Sequence, residues 1–283
     1  MVRAASSPVT AAELAAYRAD GFVVLHDFVD PAACDALRAR AAELVDGFDA
    51  DAHRTVFSTK DQVRKTDDYF LDSGDQIRFF FEEGAFDAGG RLVRPKDQSI
   101  NKIGHALHDL DPQFDAFSRT PALAALVAAL GLDQPQLMQS MYIFKQPFIG
   151  GEVRCHQDST FLHTMPERMV GLWFALEDAR VDNGCLWAIP GGHRGGLRSR
   201  FIRDGRQTSM ETIDPTPWDD TGLVPLEAAK GDLIVLDGLV PHMSYTNRSP
   251  ASRHAYTLHV VSGAAEYPAS NWLQRGTPAR GFA

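Results

Sequence analysis

From about residue 137 onward the apolar positions fall into short runs broken by glycine, proline and asparagine, the pattern of an all-β sandwich or barrel. The clearest strands are predicted at 137–145, 169–177, 185–189, 232–236 and 253–261. Side chains alternate along a strand, so in 169–177 Val170, Leu172, Phe174 and Leu176 share one face and Gly171, Trp173 and Ala175 the other. An indole between two small neighbours suits a cavity wall. Asn183-Gly184 predicts a tight turn between two of these strands.

Ahead of residue 137 the pattern is different. Thr10 with Glu13 forms a capping box for a helix that ends near Gly21, and 22–28 is a short apolar, strand-like run. Asp30 and Pro31 supply the N-cap and first position of a second helix, closed near Gly47, while Thr120, Pro121 and Gly131 bracket a third. Residues 49–99 are polar and irregular apart from an edge-strand candidate at 76–81, as expected of a cover over a site. A second cover segment is expected at 194–220. These features predict a mainly β fold with flanking helices, built as one domain. Residues 1–135 would carry helices and cover, 136–265 a β-helix core, and 266–283 a tail.

At 283 residues the chain is long enough to bury a substantial core, and no apolar run approaches the roughly 20 residues of a membrane-spanning helix. The net charge of −9 argues against a nucleic-acid or anionic-membrane partner. A local exception, Arg194, Arg198, Arg200, Arg203 and Arg206, reads as a loop of solvated arginines, with contact to an anionic substrate as the alternative. Cys34, Cys155 and Cys185 form no disulfide framework, so a reducing, cytoplasmic setting is expected. Neither a secretory signal in residues 1–10 nor a peroxisomal address at Gly281-Phe282-Ala283 is expected.

The chemistry concentrates in His156-Gln157-Asp158, followed far downstream by His242, Ser244 and Arg253. His156 and Asp158 are two apart, which in extended backbone puts both on one face, able to chelate one ion. Two imidazoles and a carboxylate suit a facial non-haem Fe(II) site, leaving three positions for a bidentate 2-oxo acid and dioxygen. His242 is the favoured third ligand, with His163, His193 and His259 as rivals. Arg253 can hold the distal carboxylate of 2-oxoglutarate bidentately, and Ser244 can add a hydroxyl.

On these residues the chain resembles the phytanoyl-CoA dioxygenase family. Further stretches that carry the resemblance are Gly21-Phe22-Val23-Val24-Leu25, Ile100-Asn101-Lys102-Ile103-Gly104-His105 and Gly171-Leu172-Trp173. Others are Asn183-Gly184-Cys185-Leu186-Trp187, Pro190-Gly191-Gly192-His193 and Asn271-Trp272-Leu273-Gln274. The resemblance implies a double-stranded β-helix (jelly-roll, cupin-like) core with His156, Asp158 and His242 on iron. It further implies that Ser244 and Arg253 hold 2-oxoglutarate while Lys102, Met141, Gln157 and Trp173 line its pocket. The expected activity is hydroxylation of a small organic substrate with O2, ascorbate serving as a stimulant. Asp158 is present where related halogenating enzymes lack the carboxylate, which favours hydroxylation. A cupin-type isomerase, a zinc hydrolase and a non-catalytic binding protein are the competing classes. Neither the substrate nor the oligomeric state is legible.

Overall fold

The computed structural model describes residues 8–57 and 67–282. Residues 58–66 of the expected cover, residues 1–7 and Ala283 lie outside the described residues. In chain order the strands are β1 (Phe22–Leu25), β2 (Ile77–Phe81), β3 (Ile100–His105), β4 (Pro135–Ile143), β5 (Val153–His156), β6 (Met169–Ala175) and β7 (Leu186–Ala188). They continue with β8 (Ser199–Asp204), β9 (Gln207–Thr212), β10 (Val224–Leu226), β11 (Leu233–Asp237), β12 (His242–Ser244) and β13 (Ala255–Ser262).

Seven strands form an antiparallel sheet in the order β1-β11-β6-β13-β4-β3-β2, and four form a second in the order β10-β7-β12-β5. Trp173, Ala175, Ile234 and Leu236 of the large sheet cluster with Leu186, Ala188 and Leu226 of the small one, so the two sheets face each other. This is a double-stranded β-helix. The other face of the large sheet, with Leu172, Phe174, Val235 and Tyr256, packs on helices α1 (Ala11–Asp20), α2 (Pro31–Asp46), α5 (Pro112–Ser118) and α6 (Pro121–Ala129). Two smaller helices are α3 (Asp68–Leu71) and α4 (Leu107–Leu110). Because both faces are covered, the central strands read as nearly unbroken apolar runs.

The caps stand as the side chains predicted: Thr10 and Glu13 close the capping box of α1, and Gly21 ends it at φ 81. Asp30 caps α2 and Thr120 caps α6. The 76–81 candidate is β2, one of the two edge strands of the large sheet. Several boundaries differ. The first strand stops at Leu25, and Phe28 enters the core from a loop. The strand expected to end at 145 ends at Ile143, since Lys145 takes φ 42 and leaves the pleat. Arg253 precedes β13 instead of opening it. The Asn183-Gly184 turn joins strands in different sheets.

Two corrections are larger. β3 was not legible because its register shifts opposite Phe80 and Phe81, a bulge that puts Ile100 and Ile103 on the helix-facing core and breaks strict alternation. The arginine-rich segment is no solvated loop: most of it forms the β8–β9 hairpin. There Arg203 donates to the Leu71 and Trp272 carbonyls (2.6 and 3.2 Å), Arg206 pairs with Asp72 (2.7 Å), and Arg198 lies over the Trp218 ring (3.8 Å). The arginines fasten the hairpin to α3 and the C-terminal tail.

Candidate active site

At the end of β5 the backbone turns through Asp158, and across the small sheet His242 of β12 stands directly opposite His156. One ligand atom from each of His156, Asp158 and His242 lies within 4.8 Å of the others, the sole such group among the described residues. His156 Nε2 is 3.5 Å and His242 Nε2 3.7 Å from Asp158 Oδ1. Each imidazole has a backbone acceptor at Nδ1: His156 donates to the Arg154 carbonyl (2.8 Å) and His242 to that of Val240 (3.1 Å). That arrangement places the protons on Nδ1 and leaves both Nε2 lone pairs for an ion. Burial pushes His242 down to about 4, so it is a neutral donor at physiological pH. Burial opposes ionisation of Asp158, but the imidazoles of His242, His259 and His156 gathered around it outweigh that penalty and hold the carboxyl well below its usual range.

Gly171 leaves room for this carboxylate. A Cβ there would sit 2.9 Å from Asp158 Oδ2, so the small residue on the inner face of β6 is a steric requirement of the site. Trp173, two residues on, lines the same cavity and carries the Arg253 guanidinium 5.1 Å from its ring centroid.

Arg253 is 1% exposed. Its Nε donates to the Gly184 carbonyl (3.1 Å), while Nη1 is buried without a partner. Ser244 Oγ accepts from Lys145 Nζ at 3.0 Å. The bulge in β3 turns Asn101 and Lys102 together toward the cavity, where Lys102 Nζ lies 3.7 Å from Met141 Sδ and 3.5 Å from the Phe57 centroid. Burial pushes its ammonium down to about 7. Gln157 borders the cavity, yet its amide is committed elsewhere: Nε2 donates to the Gly196 and Leu239 carbonyls (both 2.7 Å) and Oε1 accepts from Arg198 N (2.9 Å). It offers no free amide hydrogen to a ligand.

A family model described as phytanoyl-CoA dioxygenase matches residues 17–255. The chain belongs to the phytanoyl-CoA dioxygenase family. This dioxygenase is 49% identical to "Phytanoyl-CoA dioxygenase 1" of Oryza sativa subsp. japonica over 271 residues, covering 95% of each chain. It is 47% identical to the mouse "Phytanoyl-CoA dioxygenase domain-containing protein 1" over 273 residues, 93% of this chain and 94% of that one. Among solved structures it is similar to EctD from S. alaskensis with 2-oxoglutarate and 5-hydroxyectoine, with TM-score 0.64, 21% identity and coverage of 98% and 88%. EvdO2 of Micromonospora carbonacea complexed with 2-oxoglutarate gives TM-score 0.60, 23% identity and coverage of 97% and 99%. At those identities the likeness shows the fold.

Of the rival histidines in the dioxygenase, His163 is bonded to Glu167 Oε1 at 2.5 Å, and His193 packs against Gly21. His259 lies nearer: its Nε2 is 3.4 Å from Asp158 Oδ2, the carboxylate oxygen turned away from the cluster. It is a partner of a candidate ligand, placed two residues beyond Thr257 on the inner face of β13. Lys145 was not recognised from the sequence; a lysine in an apolar run reads as a strand end, and nothing local signals that Ser244 will meet it.

Proposed function

We propose that this chain is an Fe(II)- and 2-oxoglutarate-dependent dioxygenase that couples decarboxylation of 2-oxoglutarate to succinate and CO2 with hydroxylation of a small organic substrate. One oxygen atom of O2 enters succinate and the other the substrate. A single observation carries the reading: one cavity holds both a two-histidine, one-carboxylate cluster and a fully buried arginine with an unpaired Nη1. A buried, half-satisfied guanidinium is costly unless an anion completes it.

His156, Asp158 and His242 would hold iron, which supplies the redox chemistry when bound. The chain's own contribution is positional. Arg253 and Ser244 would receive the distal carboxylate, with Trp173 and Met141 as walls and Lys102 as a second cationic contact. His259 keeps Asp158 from rotating, and Gly171 leaves the carboxylate its space. EctD has been solved with bound Fe and with 2-oxoglutarate, which supports the same pairing here. A zinc hydrolase leaves Arg253, Ser244 and Lys102 without a shared purpose.

The cavity, about 390 Å³, is lined by Phe57, Phe70, Phe161, Phe201, Trp218 and Trp272 beyond the polar cluster. These come from both expected cover segments, from Phe161 just past β5 and from the C-terminal tail, and favour a substrate with an apolar body. Among the described residues no helix is long and apolar enough to cross a membrane. Helices and both sheets share cores, consistent with residues 1–283 acting as one catalytic domain. Anaerobic addition of Fe(II) and then 2-oxoglutarate should give the visible charge-transfer band of a chelated oxo acid, and O2 should then yield succinate. No band, with no binding by calorimetry, refutes the assignment.

A further inference from the structure

We propose that Lys145 is a positioning residue for the cosubstrate clamp: it orients the Ser244 hydroxyl as a donor and so helps select a 2-oxo acid that carries a distal carboxylate. The inference rests on the 2-oxoglutarate reading above.

Lys145 is 2% exposed and sits at φ 42, a left-handed backbone rarely adopted by a residue with a Cβ. Its carbonyl accepts from Arg253 N (3.3 Å) and Asn247 Nδ2 (2.9 Å), which hold that conformation. The stem runs against Gly184, where a Cβ would lie 2.6 Å from Lys145 Cε. Gly184 in turn accepts from Arg253 Nε. Lys145, Gly184 and Arg253 are therefore one packed unit, and the lysine backbone is strained where it serves that unit.

At its tip, Nζ donates to the Gly151 carbonyl (2.6 Å) and to Ser244 Oγ (3.0 Å). An ammonium can only donate, so it occupies a lone pair of Ser244 and leaves the hydroxyl proton to point elsewhere. Among the described residues that hydroxyl donates to no protein acceptor. The carboxylate facing both cations is Glu82, 1% exposed, whose Oε2 takes Asn101 Nδ2 (2.9 Å) and Gly151 N (3.2 Å) and whose Oε1 is unpaired. Glu152 also faces Lys145 and Glu177 faces Arg253, so Glu82 is the carboxylate that the two cations share and the one that competes with an arriving anion for both. Burial, then repulsion from Arg253, pushes Lys145 down to about 7, so an arriving carboxylate also favours its charged form.

The test is anaerobic titration of the Fe(II)-loaded protein, read by the charge-transfer band, with steady-state kinetics beside it. K145M should weaken 2-oxoglutarate at least tenfold and raise its KM by a similar factor, with kcat at saturating cosubstrate within threefold. In an S244A background the same substitution should cost less than threefold, because the lysine acts through the serine. An unchanged Kd, a fall in kcat without a rise in KM, or full additivity with S244A overturns the proposal. If K145M fails to fold, E82Q decides: removing the competing anion should tighten 2-oxoglutarate at least threefold, and unchanged or weaker binding refutes the role. Wild-type protein that shows no band at any 2-oxoglutarate concentration instead sinks the cosubstrate reading itself.

Discussion

Replacing Arg253 with methionine separates the demands of folding from those of binding. The guanidinium is buried with one nitrogen bonded to Gly184 and another unpaired. In the free protein the substitution loses one hydrogen bond but also removes a buried, incompletely paired cation, and these effects oppose each other. The melting temperature of the free variant should therefore stay within about 3 °C of the parent, because ~2.1 cal/mol/K per residue makes 1 kcal/mol worth less than 2 °C in a chain this long. With cosubstrate the outcome differs sharply. Two charge-assisted hydrogen bonds to a carboxylate are worth about 1.5–3 kcal/mol each, so a loss of about 3 kcal/mol, a roughly 150-fold weaker Kd, is a conservative figure. At 2-oxoglutarate one hundred times the parent Kd, linkage gives the parent about 2.7 kcal/mol, and the variant about 0.3 kcal/mol. That is a shift of about 4–5 °C against about 0.5 °C. The assay is thermal unfolding of metal-loaded protein under nitrogen, with and without 2-oxoglutarate. A parent-sized shift in R253M removes Arg253 from the clamp, and a free variant melting far below the parent makes the guanidinium a folding element.

Three further outcomes follow from the site. His242→Ala should lower iron occupancy, measured by metal analysis after gel filtration, whereas His193→Ala should not; loss with His193→Ala alone would identify the wrong third ligand. Gly171→Ala places a methyl 2.9 Å from Asp158 Oδ2, and at about 1–3 kcal/mol of overpacking it should weaken iron roughly tenfold while leaving the far-ultraviolet circular dichroism intact. Unchanged iron affinity would show that the carboxylate can move freely. The Lys102 ammonium is pushed down to about 7, while an unfolded lysine titrates near ~10.4, so between these values the unfolded chain binds more protons and stability rises with pH. Lys102→Met should thus raise the melting temperature most at pH 6, with the gain largely gone by about pH 10; a constant difference would place the amine in water.

What could be read in the chain was what is local. Thr10 with Glu13, Asp30 with Pro31, and the alternation of Leu172, Trp173 and Phe174 each involve neighbours whose geometry the backbone period sets. His156 and Asp158 were legible for the same reason, and His242 because its order with Ser244 and Arg253 matched a family pattern. The partners that complete the site come from topology. His259 reaches Asp158 because β13 lies beside β6 in the large sheet, and Lys145 reaches Ser244 because the chain leaves β4 through a left-handed residue. β3 hid behind its own bulge, and the hairpin arginines behind the ordinary expectation that charge is solvated.

Gln157 stands between two candidate ligands, and its amide ties their strand to Gly196 and Arg198, the root of the β8–β9 hairpin, and to Leu239, three residues before the third ligand. Three bonds from one side chain make the ligand strand, the hairpin root and the approach to His242 a single mechanical joint. The hairpin carries Phe201 and Met210 into the cavity, so whatever presses on those side chains loads the same joint that holds the imidazoles and the carboxylate in register. One wall of the apolar chamber and the two imidazoles with their carboxylate thus hang on the same three hydrogen bonds.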